Sequence, residues 1–230
     1  MFDLQGYGPS LLAGTLVTVE VALFSLAISV LLGMAGAMAK LSKSPIANAA
    51  AAVYTTLIRG IPELVLMLLI FFGGQVFVNY LAADVIGYED YIDVNPFTAG
   101  VLTIGFIYGA YMTETFRGAI LSVPAGQLEA GQAYGMTRGQ VFLRILLPQM
   151  IRFAIPAFGN NWLVLLKATA LVSVIGLDDL VRKAALAAGA TRQPFTFYLA
   201  VGAVFLVLTT ISVLLLQWAE RRYSVGVRRA

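Results

Sequence analysis

The sequence predicts an all-α integral membrane protein with five transmembrane helices, its N-terminus outside and its C-terminus in the cytoplasm. The first observation is composition, because 60% of the 230 residues are hydrophobic and only 12% are charged. Soluble domains have about 45–50% apolar and about 25% charged residues. The second observation is five apolar runs, each long enough for a helix of about 20 residues and too long for the strands of a barrel. The third is the placement of Lys and Arg between these runs.

The five runs predict spans at about residues 11–39, 49–81, 97–121, 153–175 and 195–219 of a single membrane domain, residues 1–230. The first span contains a series of small residues, Gly33, Gly36, Ala37 and Ala39. Such series let two helices approach closely, so we expect them to mark packing and not a binding site.

The connections between the spans set the orientation, because Lys and Arg concentrate in cytoplasmic loops. The second connection is acidic, with Asp84, Glu89, Asp90 and Asp93, and is therefore assigned to the outer side. One connection, residues 177–194, runs against the rule because it carries Arg182, Lys183 and Arg192 on the outer side. The connections assigned to the cytoplasm outweigh it; their basic residues are Lys40, Lys43, Arg138, Arg144, Arg152, Arg221, Arg222, Arg228 and Arg229.

Composition also limits the chemistry of the chain. There is no cysteine and no histidine, so the usual thiolate, general base and metal ligands are absent. No G-x-x-x-x-G-K-[ST] sequence occurs, so a different chain would have to bind any ATP that is used. We expect no removable signal peptide, since "MFDLQGYGPS" has no basic segment and no cleavage site. The net charge of +3 follows from topology and gives no reason to expect a nucleic-acid partner.

The connection between the third and fourth spans, residues 124–148, predicts two short helices in the cytoplasm. The first covers about Ala125 to Tyr134, and Gly135 supplies the break because glycine tolerates the left-handed conformation that ends a helix. Thr137 and Gln140 form a T-x-x-Q capping box that starts the second helix. Pro148 then either stops that helix or starts the next span.

The same stretch, "EAGQAYGMTRGQVFLRILLP", fits E-A-A-x3-G-x9-I-x-L-P with a glycine in place of the second alanine. It resembles the EAA loop of ABC-importer permeases, which docks a short helix into a cleft on an ATPase subunit. The resemblance implies the type I ABC-importer permease fold, and it implies a coupling role for Glu129, Ala130, Gly131, Gly135, Arg138, Ile145, Leu147 and Pro148.

Four further stretches extend the resemblance over nearly the whole chain: "LIRGIPELVLMLLIFFG", "GFIYGAYMTETFRGAI", "GNNWLVLLKATALVSVIGL" and "ERRYSVGVRRA". They are similar to the polar amino acid uptake subfamily, and within it to permeases of histidine, lysine, arginine and ornithine importers. The resemblance implies a non-enzymatic transport subunit in the bacterial inner membrane that binds no cofactor. It also implies four partners: a homologous second permease subunit, two copies of an ATPase that uses ATP and Mg, a periplasmic amino acid-binding protein and the lipid bilayer.

Charged residues inside the spans are the candidates for the substrate path, because each costs about 2.5–3.5 kcal/mol in the membrane. Glu63 follows Gly60 and Pro62, which loosen the second span, and it could contact a substrate cation or pair with Lys167 or Arg59. Lys167 could meet a substrate carboxylate or join helices, as could Asn160 and Asn161. Tyr108 is a further candidate. Glu114 and Arg117, three residues apart, are expected to form a structural pair.

Two alternatives remain open from the residues. Opine permeases share much of the pattern, so the substrate could be an opine or another polar amino acid. A secondary transporter driven by an ion gradient would require paired broken helices in two repeats, and the chain has one interrupted span and no matching half.

Overall fold

The computed structural model describes residues 4–88 and 90–223, and all regular elements in this part of the chain are helices. Three residues of the topology argument, Glu89, Arg228 and Arg229, lie outside the described residues. The helices are α1 (Gly8–Leu41), α2 (Pro45–Gly60), α3 (Glu63–Tyr80), α4 (Pro96–Leu121), α5 (Ala125–Ala133), α6 (Arg138–Val141), α7 (Leu147–Ala168), α8 (Leu180–Thr191) and α9 (Pro194–Tyr223). Wider π turns, Leu81–Ile86 and Phe142–Leu146, extend α3 and join α6 to α7, and a 3₁₀ segment, Thr169–Ile175, follows α7.

The centre of the fold is the pair α1 and α4, which pack along most of their length. Gly33 lies against Met112 and Gly36 against Thr113, so closely that an added Cβ would overlap these side chains. Ala37, one turn on from Gly33, is fully buried. The prediction that these small residues mark close helix packing is therefore confirmed. Nearby, the Ser25 hydroxyl donates a hydrogen bond to the carbonyl of Val101 at 3.2 Å.

Four helical segments of the described chain are long and apolar enough to cross a membrane: Gly8–Leu41, Glu63–Ile86, Arg138–Ile175 and Pro194–Tyr223. The third predicted span corresponds to α4, which does not reach the same hydropathy although it has 26 residues. Fourteen of those residues are buried by neighbouring helices. A helix that other helices cover meets less lipid, so it can carry more glycine, threonine and tyrosine.

The second predicted span, residues 49–81, is wrong as a single helix. It is divided into α2 and α3 by Ile61 and Pro62, whose backbone is extended. Proline has no N–H to donate and forces the preceding residue out of the helical region, so the helix ends before it. This division, which we call the midspan break, places Arg59 in the last turn of α2 and Glu63 in the first turn of α3.

The fourth span begins earlier than predicted. Pro148 lies at the start of α7, and helical structure runs from Arg138 through the π turn into α7. Two roles were left open for Pro148, ending the short helix or starting the next span. The structure shows the second, because Pro148 lies in the first turn of α7.

Residues 177–194, expected to be a connection, contain the helix α8. Asp179 caps this helix by accepting a hydrogen bond from the Arg182 N–H at 2.8 Å. The inner face of α8 packs beside α1 and α9 through buried residues that are small or aliphatic, namely Leu180, Ala184, Ala187 and Ala188. The helix was missed because most of its apolar residues are alanines, which give a weak hydrophobic pattern.

Candidate functional site

Glu63 lies at the midspan break with one polar contact among the described residues. Its Oε1 accepts a hydrogen bond from the Tyr108 hydroxyl of α4 at 3.0 Å. The ion pairs of the described chain do not include Glu63, so neither the Lys167 nor the Arg59 alternative is formed. The structure thus brings two of the predicted path residues together, Glu63 and Tyr108, and leaves the carboxylate without a cationic partner.

A stack of aromatic rings continues from Tyr108. Its ring lies 5.5 Å from that of Tyr111 at an interplanar angle of 30°. The guanidinium carbon of Arg59 lies 5.5 Å from the centre of the Tyr111 ring. Tyr111 was not among the residues predicted for the site, although two tyrosines three residues apart on one helix indicate a shared face.

The candidates on α7 are distributed differently. Lys167 and Asn160 are exposed in this chain and lie on surfaces that its own helices do not cover. Asn161 points toward α4, where its amide donates a hydrogen bond to the Thr115 hydroxyl at 2.8 Å. Asn161 therefore joins two helices, which is the structural role left open for it, and it does not meet Glu63.

An ionic cluster joins α1 to α4. Lys40 pairs with one carboxylate oxygen of Glu114, and the Nε of Arg117 lies 3.1 Å from the other. The predicted Glu114–Arg117 pair is therefore confirmed. Lys40 had been used only as a topology marker, because sequence spacing cannot show a contact between residues 74 positions apart.

The EAA loop, residues 124–148, folds as two short helices as predicted. The first, α5, ends with Gly135 in the left-handed conformation at φ +80°. Two backbone hydrogen bonds close this end: Gly135 N–H to Gln132 at 2.9 Å and Met136 N–H to Gly131 at 3.1 Å. They satisfy carbonyls that the helix end would otherwise leave unpaired.

The second short helix begins with the predicted capping box. The Thr137 hydroxyl accepts from the Gln140 N–H at 3.3 Å, and the Gln140 side chain accepts from the Thr137 N–H at 2.9 Å. Gly131 is buried against Ile145 and Val141, so the two helices of the loop pack on each other.

The other side of the EAA loop is open. Glu129, Ala130, Gly135, Arg138 and Pro148 are exposed, and Ile145 and Leu147 are half-buried. Tyr134, which was not among the predicted coupling residues, is 89% exposed. A large aromatic side chain exposed beside a rigid loop glycine is typical of a docking surface. An aromatic residue immediately before the break glycine was the signal that could have identified it.

Comparison with known proteins places these features in one family. Residues 29–225 match the family described as binding-protein-dependent transport system inner membrane component. The chain is 52% identical to the histidine/lysine/arginine/ornithine transport system permease protein HisQ of Salmonella typhimurium, with 99% of each chain covered. It is 42% identical to the octopine transport system permease protein OccQ of Rhizobium radiobacter, covering 99% of this chain and 96% of that protein.

The fold agrees with this relationship. A crystal structure of an amino acid ABC transporter with histidines matches with a TM-score of 0.80 and 34% identity, covering 94% of this chain and 95% of that one. The predicted resemblance to ABC-importer permeases is therefore confirmed. The protein is a multi-pass protein of the inner membrane, and it belongs to the binding-protein-dependent transport system inner membrane component family.

Proposed function

We propose that the chain forms part of the translocation path of an ATP-driven importer for cationic amino acids such as histidine, lysine, arginine and ornithine. The HisQ relative, whose name states these substrates, is more similar to this chain than the octopine relative is. An opine remains the second candidate for the same site, because an opine permease is 42% identical.

The observation that carries this proposal is the Glu63 carboxylate. It lies at the midspan break, is partly exposed, and has the Tyr108 hydroxyl as its hydrogen-bond donor and no ion pair within the described chain. An ionised side chain in a membrane segment needs a partner or a function. A substrate ammonium, guanidinium or protonated imidazole would supply the missing charge.

The proposed topology has five spans, with α1, α2–α3, α4, α7 and α9 crossing the membrane, the N-terminus outside and the C-terminus inside. The helix α4 is included because its 26 residues are about 39 Å long at 1.5 Å per residue, which exceeds a hydrocarbon core of about 30 Å. This orientation places the EAA loop in the cytoplasm and α8 on the outer side.

The EAA loop is proposed to dock on the ATPase through the exposed side that carries Glu129, Ala130 and Gly135. In the complete transporter this chain pairs with a homologous second permease subunit above two ATPase copies, and a periplasmic binding protein delivers the substrate. The partner ATPase uses ATP and Mg, and this chain binds no cofactor.

The proposal is tested with Glu63→Gln in the assembled, reconstituted transporter. A charge-assisted hydrogen bond contributes about 1.5–3 kcal/mol, so its loss should reduce the preference for lysine over glutamine by tenfold or more. Basal ATPase activity should remain, because the hydrogen-bond partner of Glu63 is Tyr108 of α4 and not a residue of the EAA loop. Glu20→Gln is the matched control, since Glu20 is an exposed glutamate on α1, a different helix from those at the break. An unchanged lysine preference in Glu63→Gln would reject the proposed contact.

A further inference from the structure

A groove lined by apolar side chains lies between α1, α4 and α7, and its volume is about 340 Å³. Helices α1 and α7 make only slight contact with each other, whereas both pack on α4. The lining includes Val30 and Met34 of α1, Phe116 of α4, and a stripe of α7 that runs from Leu147 to Phe158. Most of these side chains are partly exposed, so the groove, which we call the α1–α7 groove, opens to its surroundings.

The groove and the polar side of α7 lie on opposite faces of that helix. Ile151 and Phe158 line the groove, and the exposed residues Asn160 and Lys167 follow them by nine positions each. Nine residues make two and a half helical turns, so the two members of each pair point to opposite sides. Polar residues of a membrane helix face the bundle interior or a water-filled cavity. The opposite face, which carries the groove, therefore faces lipid.

The length of the groove agrees with one leaflet of a bilayer. Leu147 and Phe158 are separated by about 16 Å along α7, at 1.5 Å per residue. Half of a hydrocarbon core is about 15 Å thick. In the proposed topology α7 begins at the cytoplasmic surface, so the groove crosses the cytoplasmic leaflet. An acyl chain of that leaflet has the direction and the length of the groove.

Two arginines, Arg144 and Arg152, flank the cytoplasmic end of the α7 stripe. Arg144 precedes Leu147 by about one turn, and Arg152 follows Ile151 directly and precedes Ile155 by about one turn. Neither arginine forms an ion pair with a carboxylate in the part of the chain that the structure describes. The apolar groove therefore has two uncompensated positive charges beside one end.

The position of Arg152 is costly without an anion. Arg152 lies about 7 Å further along α7 than Leu147, and it is half-buried. A cation at such a depth in the membrane requires a partner or a path to the surface. Side chains of a helix tilt toward its N-terminus, which is the cytoplasmic end of α7 in the proposed topology. The guanidinium of Arg152 is therefore directed toward the level of the lipid headgroups, where Arg144 also lies.

We propose that the α1–α7 groove binds an acyl chain of an anionic phospholipid from the cytoplasmic leaflet, and that Arg144 and Arg152 bind its phosphate. The chain by itself gives little preference, because lipid tails are as apolar as leucine side chains. The headgroup supplies the selectivity, since a guanidinium can hold a phosphate through two parallel hydrogen bonds. This lipid site is separate from the proposed substrate contact, and only the choice of leaflet depends on the proposed topology.

The test uses the assembled transporter in phosphatidylcholine nanodiscs that contain a trace of photoreactive lipid. The lipid is phosphatidylglycerol or phosphatidylcholine with a diazirine on the same acyl chain, and mass spectrometry measures labelling of residues 147–158. Phosphatidylglycerol should label this segment at least tenfold more than phosphatidylcholine does. Arg144→Gln and Arg152→Gln should each lower the ratio about fivefold, and the double variant should bring it close to one.

Two controls match these variants. Lys43→Gln removes an exposed cation of the α1–α2 connection, which flanks no lining residue, and should keep the wild-type ratio. Ile151→Trp places a larger side chain in the groove and should reduce labelling by both lipids. Leu215→Trp makes a similar change at an exposed site on α9 and should not reduce labelling.

Three results would overturn the proposal. Equal labelling by the two lipids in the wild type would show that the arginines do not select the headgroup. The absence of labelling by either lipid would show that another protein surface covers the groove. Loss of the ATPase from the Arg144→Gln and Arg152→Gln variants, with an unchanged lipid ratio, would assign the arginines to the ATPase. If the double variant does not assemble, the wild type and the single variants still decide, and none of these results depends on the transported substrate.

Discussion

Asp179, the N-cap of α8, should make the protein more stable in mild acid than at neutral pH. Its side chain is buried where the start of α8 packs on α1, close to Gly14 and Thr18. One carboxylate oxygen accepts the Arg182 N–H, while the other is buried without a hydrogen-bond partner among the described residues. Burial raises the pKa of Asp179 from 3.8 to about 6.

The sign follows from proton binding. Between pH 4 and pH 6 the folded protein holds a proton on Asp179 that the unfolded chain has already released. Stability therefore falls as the pH rises through this window and stays low above it. A pKa difference of about 2 corresponds to about 3 kcal/mol. Asp179→Asn removes this cost and keeps the cap, since asparagine caps as well as aspartate.

We expect Asp179→Asn to stabilise the assembled transporter by about 1–2 kcal/mol at pH 7.5, because the new amide donor offsets part of the gain. At pH 5 the difference from wild type should shrink toward zero. Thermal unfolding in detergent at both pH values measures the effect. Asp178→Asn is the control, since the Asp178 side chain is 70% exposed. If wild type and Asp179→Asn show the same dependence of Tm on pH, the buried carboxylate does not behave as described.

Three other substitutions test the packing, the ionic cluster and the loop. Gly33→Leu should abolish or strongly reduce folded protein by fluorescence-detected size exclusion, because a side chain there overlaps Met112 and overpacking costs about 1–3 kcal/mol or more; wild-type yield would contradict the α1–α4 contact. Lys40→Met should lower the free energy of unfolding by about 1–3 kcal/mol, seen as a lower Tm, because Glu114 loses a partner. Glu114→Gln in the same chain should restore part of this stability; no recovery would argue against the pair. Gly135→Val should uncouple ATP hydrolysis from transport, because φ is +80° and no neighbour lies within 4 Å to be displaced, so the defect is the loop conformation itself; normal coupling would exclude a fixed loop geometry as a requirement.

The sequence predicted the EAA loop closely because its structure depends on neighbouring residues. A capping box and a break glycine act over three to six positions, so α5 begins and ends, and α6 begins, near the predicted residues; helical structure then continues past Pro148 into α7. The close packing of α1 on α4 was also predictable, since small residues at regular spacing act in the same way in many membrane helices. The Glu114–Arg117 pair was read from a spacing of three.

Other features depended on contacts between distant parts of the chain. The Lys40–Glu114 pair and the Tyr108–Glu63 hydrogen bond join residues 74 and 45 positions apart, and no periodic pattern relates them. The midspan break was underestimated, because Pro62 and Gly60 suggested a loosened helix while the structure separates α2 from α3 completely. The capped helix α8 was missed because hydropathy marks spans and says little about short, alanine-rich helices outside them.

The measurement that tests the central proposal most directly is ATP-driven uptake into liposomes that contain the assembled transporter, with its binding protein and a panel of labelled amino acids. The panel should include arginine, lysine, histidine and ornithine, together with glutamine, glutamate and octopine. We predict that the cationic amino acids are transported and drive ATP hydrolysis, that Glu63→Gln reduces their uptake relative to glutamine, and that Glu20→Gln does not. Uptake of glutamine or glutamate in preference to every cationic amino acid, with no change in Glu63→Gln, would contradict the proposal.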